Sequence, residues 1–169
     1  MEAKKLSNQG ELIFFCGKMG SGKSTYSKKL SQEIDAIYLS EDDWLSKLYP
    51  DEMNNFKDYL KYSSRLKDLI QSHIIDMLVS GLTVVLDFPG NTKQQRYWFK
   101  ELFSNHHIPH QLIYLQADDA LCLKRIKKRR TEYPERQAFD TKEVFGYVTS
   151  FFEEPSKEEG FNIQVIKQK

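Results

Sequence analysis

The 169-residue sequence has no long hydrophobic run. Its longest apolar run covers residues 12–16, far short of the ~20 residues that a transmembrane helix requires. Residues 1–8 are mostly polar, without the apolar segment of a secretory signal or the arginine-rich pattern of a transit peptide. We therefore expect a protein without a membrane span, located in the cytoplasm.

The sequence also has few cysteines and a net charge close to zero. Cys16 ends an apolar run and Cys122 lies in a helical pattern, which predicts two buried thiols rather than a disulfide or a metal site. The net charge is +1, so the chain lacks the strong positive charge typical of nucleic-acid-binding proteins. Repeats and low-complexity tracts are absent too. From the length we predict one domain over residues 1–169, with a polar lead-in at 1–10.

The sequence does contain a phosphate-binding loop, residues 17–24, between an apolar run and a helical pattern. Its spacing is G-x-x-x-x-G-K-[ST]. Glycines let successive N–H groups turn towards an anion, and the helix that follows directs its positive end at the same place. In this motif the lysine, Lys23, neutralises the β- and γ-phosphates, and the hydroxyl of Ser24 holds Mg²⁺. The predicted residues for ATP are Gly17, Lys18, Met19, Gly20, Ser21, Gly22, Lys23, Ser24 and Thr25, with GTP left open.

Strand and helix patterns alternate along the chain. Near-continuous apolar strands between helices predict a parallel sheet covered on both faces and joined by right-handed crossovers. A long helix is predicted around 66–78 and a last helix around 144–152, whereas 44–57 show no clear pattern. The strands are predicted at 11–16, 36–39, 83–87, 111–115 and 161–166, and the final one could lie at an edge.

Carboxylates follow the second and third predicted strands. Open α/β sheets bind ligands at the carboxyl ends of their strands, so these side chains are expected near the phosphates. Asp42 or Asp43 is placed to take the proton of an acceptor hydroxyl, although helix capping would explain one of them. Asp87 resembles a carboxylate that binds Mg²⁺ through water; orienting the acceptor and capping a loop are its alternatives.

A basic run lies beyond the fourth strand. Arg125 and Arg129 are four residues apart and therefore share one face of the predicted helix. With Arg130 they are candidates for contacting the phosphates from a lid, residues 124–139, whose moving part would be the polar stretch 131–139.

Together these motifs resemble the small P-loop kinases grouped with phage polynucleotide 5′-kinase, chloramphenicol phosphotransferase and zeta toxins. The resemblance covers about residues 11–131. It implies a three-layer P-loop NTP hydrolase fold of α/β class, with a five-stranded parallel sheet in the order 2-3-1-4-5 and helices on both faces. It also implies that Asp42 is the general base and that Arg129 stabilises the transferring phosphate. The resemblance rests on the phosphate loop, Glu41-Asp42-Asp43, residues 84–87, Arg96, and Arg125 with Arg129.

One departure from this family bears on the acceptor. The polynucleotide kinases have an arginine two positions after the aspartate pair, where this chain has Leu45. Without it, a nucleic-acid end is disfavoured, and Trp44 with Leu45 suggests an apolar or planar small molecule, although Trp44 could equally pack inside. Asp43, Trp44 and Arg96 are the candidate acceptor residues.

We therefore predict an ATP- and Mg²⁺-dependent phosphotransferase that acts on a hydroxyl of a small molecule. A polynucleotide 5′-hydroxyl kinase and a nucleotide-dependent switch are the alternatives. Against a guanine-nucleotide switch, the sequence has no N-K-x-D motif.

Overall fold

The computed structural model describes residues 9–169, apart from the side chain of Glu135, so most of the predicted lead-in at 1–10 lies outside the described residues. Five parallel strands form one sheet in the order β2-β3-β1-β4-β5. The predicted order is confirmed, and the last strand is at an edge. The strands are β1 Leu12–Cys16, β2 Ile37–Ser40, β3 Val84–Asp87, β4 His110–Gln116 and β5 Ile163–Lys167.

Within residues 9–169, six α-helices connect and follow these strands. The segment 44–57, which shows no pattern in the sequence, contains the end of the helix Glu41–Leu48 and the start of the helix Phe56–Val79. The last helix ends at Thr149, earlier than predicted. The helices are α1 Lys23–Glu33, α2 Glu41–Leu48, α3 Phe56–Val79, α4 Lys93–Phe103, α5 Asp119–Glu132 and α6 Lys142–Thr149, with 3-10 turns at Ser104–His106, Pro134–Arg136 and Lys157–Glu159.

Alternate residues of β1 point to opposite faces of the sheet, because side chains alternate along a strand. Leu12 and Phe14 belong to the core cluster under α3 and α4, whereas Ile13 and Phe15 belong to the cluster under α1. All four side chains are buried. Helices therefore cover both faces, and the three-layer fold is confirmed.

The register brings the candidate site together at one edge of the sheet. Ser40 pairs with Asp87 across β2 and β3, and Phe14 pairs with Leu86 across β1 and β3. The residues that follow β1, β2 and β3 therefore emerge side by side at the carboxyl edge.

Within residues 9–169, no helix has both the length and the apolar content needed to cross a membrane.

Arg96 lies in the interior, where it anchors the connection between α6 and β5. Its guanidinium donates to both carboxylate oxygens of Glu159, at 2.8 and 2.9 Å, and to the carbonyl oxygens of Gly90 and Glu153, at 3.0 and 2.9 Å. The side chain is fully buried, with 0% exposure. This placement corrects the assignment of Arg96 to the acceptor site, since its donors serve the fold.

We predict that Arg96→Met lowers the free energy of unfolding by about 3–5 kcal/mol, because it leaves the Glu159 carboxylate without its buried partner. Denaturant unfolding followed by circular dichroism measures the loss. The matched control is Lys128→Met, which breaks an exposed pair with Glu132 and should cost about 0.5 kcal/mol or less. Equal losses in the two variants would contradict the anchoring role.

Candidate active site

The phosphate loop has a backbone that only glycines can form. Gly20 has a φ of 79°, and a Cβ there would lie 2.7 Å from the carbonyl oxygen of Cys122. A Cβ at Gly17 would lie 2.6 Å from Oγ of Ser21. The helix α1 starts within the last two residues of the loop, at Lys23, and among the described residues no side chain caps its first amides. These N–H groups are therefore available to an anion.

A second sign of an anion site is the hydroxyl of Ser21. Its Oγ is buried and finds no hydrogen-bond partner within residues 9–169. Buried polar atoms are normally paired, so this atom is one that a ligand phosphate could satisfy. The residues of the loop therefore fit the phosphates of a nucleotide.

Lys23 folds back over the loop. Its Nζ donates to the carbonyl oxygen of Gly17 and, at 3.1 Å, to that of Lys18. Burial lowers the pKa of Lys23, an effect that the nearby Cys16 thiol and the carboxylates of Asp87 and Asp42 oppose. The lysine is thus the positive centre of a group that also contains two predicted acidic residues.

Asp87 ends β3 close to the loop. The hydroxyl of Tyr38 donates to its Oδ2 at 3.0 Å. Burial raises the pKa of Asp87, the hydroxyls of Ser24 and Tyr38 lower it, and the Asp42 carboxylate raises it again. Magnesium prefers oxygen ligands, and a dication would relieve the repulsion between the two aspartates. Ser24 and Asp87 therefore fit the predicted Mg²⁺ site.

The aspartate pair stands in the first turn of α2, but neither carboxylate caps the helix. The cap is Ser40, whose Oγ accepts from the main-chain N–H of Asp43 at 3.3 Å. Capping by an aspartate, the alternative considered above, is therefore wrong. Asp42 and Asp43 are both exposed at the edge of the sheet where the phosphate loop begins.

The two residues after the pair differ in how deeply they are buried. Leu45 is only 1% exposed and belongs to the core, and Trp44 is half-buried against the same core. The suggestion that Leu45 contacts an apolar acceptor is therefore wrong, and its role is packing.

Beneath Asp42, the buried carboxylate of Glu41 ties α2 to α3. It accepts hydrogen bonds from the hydroxyls of Tyr59, at 2.7 Å, and Ser63. Burial raises the pKa of Glu41, and the ammonium of Lys67 opposes this. Glu41 thereby fixes the helical turn that carries the aspartate pair.

The predicted lid arginines Arg125 and Arg129 have different hydrogen-bond partners. Arg125 donates from Nη1 to the carbonyl oxygen of Ser21 at 3.0 Å, so it lies on the phosphate loop. Arg129 instead binds both carboxylate oxygens of the buried Asp140, each at 2.6 Å, and Arg136 donates to the same carboxylate at 3.1 Å. Although burial opposes it, these two guanidiniums lower the pKa of Asp140. Contact between Arg129 and a phosphate stays a prediction.

A cavity of about 540 Å³ opens beside the loop, at the end of β4. The ammonium of Lys18 is already paired with Asp119 at 2.6 Å, and the remaining charged groups of the wall are carboxylates. Burial and the neighbouring Glu154 raise the pKa of Tyr114 to about 12, so its phenol stays protonated. The cavity is lined by Lys18, Tyr114, Gln116, Ala117, Asp118, Phe152 and Glu154.

Comparison with known proteins agrees with this geometry. A model of a family described as the AAA domain matches residues 12–155, most of the chain. The chain belongs to this family. A search of curated proteins found no significant match.

Solved structures with the same fold as this family member include kinases. The APS kinase CysC of Mycobacterium tuberculosis, in complex with AMPPNP and APS, is 17% identical, with a TM-score of 0.64 over 95% of this chain and 89% of that one. A sugar kinase from a Janibacter species is 13% identical, with a TM-score of 0.64 over 94% and 85%. Kti12 of Chaetomium thermophilum, with ADP-AlF3, is 16% identical, with a TM-score of 0.66 over 92% and 88%. The resemblance to the small P-loop kinases is confirmed.

Four residues of the site were missed by the sequence analysis: Tyr38, Glu41, Asn91 and Asp140. Glu41 was part of the motif quoted for the resemblance, and its place beside Asp42 was the only signal for it. Asn91 accepts from the main-chain N–H of Gly17 at 2.9 Å, a contact between residues 74 positions apart. Such pairings appear only when the sheet is assembled.

We predict that Glu41→Gln gains stability relative to the wild type as the pH rises. A buried carboxyl with a raised pKa holds its proton more firmly in the folded state, so its stabilising effect is complete below the ordinary pKa of 4.5 and is lost as the pH rises through the raised value. Unfolding free energies of both proteins, measured from pH 4 to about pH 8, give the difference. A difference that stays constant with pH would contradict this account of Glu41.

Proposed function

We propose that the protein is an ATP- and Mg²⁺-dependent kinase that transfers the γ-phosphoryl group of ATP to a hydroxyl of a small molecule. The observation that carries this proposal is the convergence of one cation and two carboxylates on the phosphate loop. Asp42 and Asp87 both lie near enough to Lys23 to oppose the lowering of its pKa by burial, and the carboxylate of Asp42 raises the pKa of Asp87. A simple nucleotide-binding loop does not need the exposed Asp42.

In this proposal the loop binds the phosphates and Lys23 moves from the carbonyl oxygens of Gly17 and Lys18 to the β- and γ-phosphates. The free N–H groups at the start of α1 and the unpaired hydroxyl of Ser21 supply further donors. Ser24 and Asp87 would hold Mg²⁺, which when bound neutralises charge on the phosphates. Tyr38 keeps Asp87 in place through its hydrogen bond.

Asp42 is the proposed general base. Its carboxylate takes the proton of the acceptor hydroxyl as the oxygen forms a bond to the γ-phosphorus, and the bond from that phosphorus to the bridging oxygen breaks to release ADP. Asp43 is the alternative, since it lies in the same exposed turn. Arg125, already on the loop, and Arg129 are proposed to stabilise the charge of the transferring group.

The cavity beside the loop is separate from Asp42, because it opens at the end of β4 whereas Asp42 follows β2, and β3 and β1 lie between these two strands. Its wall carries the carboxylates of Asp118 and Glu154, and its lysine, Lys18, is neutralised by Asp119. A phosphodiester would meet repulsion there, whereas hydroxyl and amino groups would find acceptors. The support for a small hydroxyl-bearing acceptor is instead the sugar kinase among the structural neighbours.

The direct test incubates the protein with ATP and Mg²⁺ and a panel of nucleosides, sugars, aminoglycosides, chloramphenicol and 5′-hydroxyl oligonucleotides. Mass spectrometry then identifies any compound that has gained one phosphoryl group. We expect a small-molecule product. Salt-sensitive phosphorylation of the oligonucleotides alone would favour the polynucleotide kinase instead, and ATP hydrolysis that no compound accelerates would favour a nucleotide-dependent switch.

We predict that Lys23→Ala and Asp42→Asn fail at different steps. Lys23→Ala should weaken ATP binding about tenfold or more, because it removes the cation that meets the phosphates. Asp42→Asn should leave the affinity for ATP within about twofold and lower kcat by about 100-fold or more, since only the proton acceptor is lost. Calorimetry with ATP and assays with the identified acceptor separate these effects.

The matched control is Asp43→Asn, which changes the neighbouring carboxylate in the same turn. Nearly normal turnover in this variant would assign the base to Asp42. Full turnover in Asp42→Asn would refute that assignment.

A further inference from the structure

We propose that Asn91 is a positioning residue that holds the phosphate loop in its nucleotide-binding conformation and links it to the connection between α6 and β5. This inference rests on the proposed function in one respect only, namely that the loop binds ATP. No motif in the sequence marks Asn91, and it lies on the loop between β3 and α4, one residue before the cap of α4.

The central contact is the hydrogen bond from the main-chain N–H of Gly17 to Oδ1 of Asn91, at 2.9 Å. Gly17 is the first residue of the phosphate loop, and its carbonyl oxygen accepts from Nζ of Lys23. The same residue is thus held from both sides, by Asn91 at its N–H group and by Lys23 at its carbonyl oxygen.

The backbone of Asn91 is itself fixed by two hydrogen bonds and by the close packing of the preceding residue. Its N–H donates to Oε1 of Gln95 at 2.8 Å, and its carbonyl oxygen accepts from the N–H of Glu153 at 2.9 Å. The preceding Gly90 is pressed against β1, since a Cβ there would lie 2.4 Å from the carbonyl oxygen of Phe15. The side chain of Asn91 therefore meets Gly17 from a fixed base.

This arrangement matters at the moment a nucleotide binds. When Lys23 turns from the loop carbonyls to the phosphates, Gly17 loses one of its two holds. The contact from Asn91 does not involve the lysine, so it can keep the start of the loop in place. A loop that is already ordered binds its ligand with a smaller loss of conformational entropy.

The same residue joins the loop to the wall of the cavity. Glu153 lies between Phe152 and Glu154, which both line the cavity, and its carbonyl oxygen accepts from the buried Arg96. Arg96 also donates to the carbonyl oxygen of Gly90, directly before Asn91. The cavity wall and the phosphate loop are therefore two ends of one hydrogen-bonded unit with Asn91 at its centre.

The test compares Asn91→Ala with Thr92→Ala, which removes the side-chain cap of α4 but no contact of Asn91. Both variants remove a side-chain contact from the loop between β3 and α4, but only Asn91→Ala removes the acceptor of the Gly17 N–H group. Calorimetry with ATP and Mg²⁺ gives the affinity, and thermal unfolding gives the stability. We expect Asn91→Ala to bind ATP about tenfold more weakly, the size of one lost hydrogen bond. Thr92→Ala should lower Tm through the lost helix cap, while its affinity stays within about twofold of the wild type.

Equal ATP affinities of Asn91→Ala and the wild type would overturn the positioning role. Equal losses of affinity in the two variants would also overturn it, because Asn91 would then act only through the stability of its loop. If Asn91→Ala does not fold, Asn91→Ser replaces it, since its shorter hydroxyl cannot reach Gly17. A wild-type protein that binds no ATP would refute the proposed function as well, so the two failures are distinguished by the wild-type titration alone.

Discussion

The conformation of the phosphate loop is the constraint on which the rest of the structure depends. The chain turns sharply at the loop glycines between β1 and α1, and a side chain at Gly20 would collide with the backbone of Cys122. The loop is supported by Arg125 at Ser21, by Lys23 at Gly17 and Lys18, and by the loop between β3 and α4. The sheet order places each of these supports around β1.

The electrostatics of the site follow from the same geometry. Lys23 is partly buried, and burial alone would lower its pKa and favour the neutral amine. The carboxylates of Asp87 and Asp42 oppose this lowering. The two carboxylates repel each other in turn, and the balance improves when a dication and a polyphosphate join the site. This balance of charges is the physical basis of the proposal that the site binds a metal nucleotide.

Much of this architecture could be predicted from the sequence because its signals are local. Short sequence patterns predict the phosphate loop, the strand positions and the capping box of Thr92 and Gln95. The structure contains all three features. The stretch 44–57 could not be predicted, since Pro50 and a polar run hide the start of α3.

The parts that failed depend on contacts between distant positions. The sequence analysis places Arg96 at the acceptor site, yet the residue forms a buried ion pair with Glu159, 63 positions later. Asp140 likewise forms an ion pair with Arg129. Asn91 contacts Gly17 only because β1 and β3 are neighbours in the folded sheet. A single sequence records none of these pairings.

The central claim is that the phosphates of a nucleotide are what this site recognises. The most direct measurement is a calorimetric comparison of ATP and adenosine binding to the wild-type protein in the presence of Mg²⁺. The account predicts that ATP binds at least about 100-fold more tightly than adenosine, because the loop amides, Lys23 and the metal ligands all act on the phosphates. Equal affinities for the two, or no binding of ATP, would contradict it.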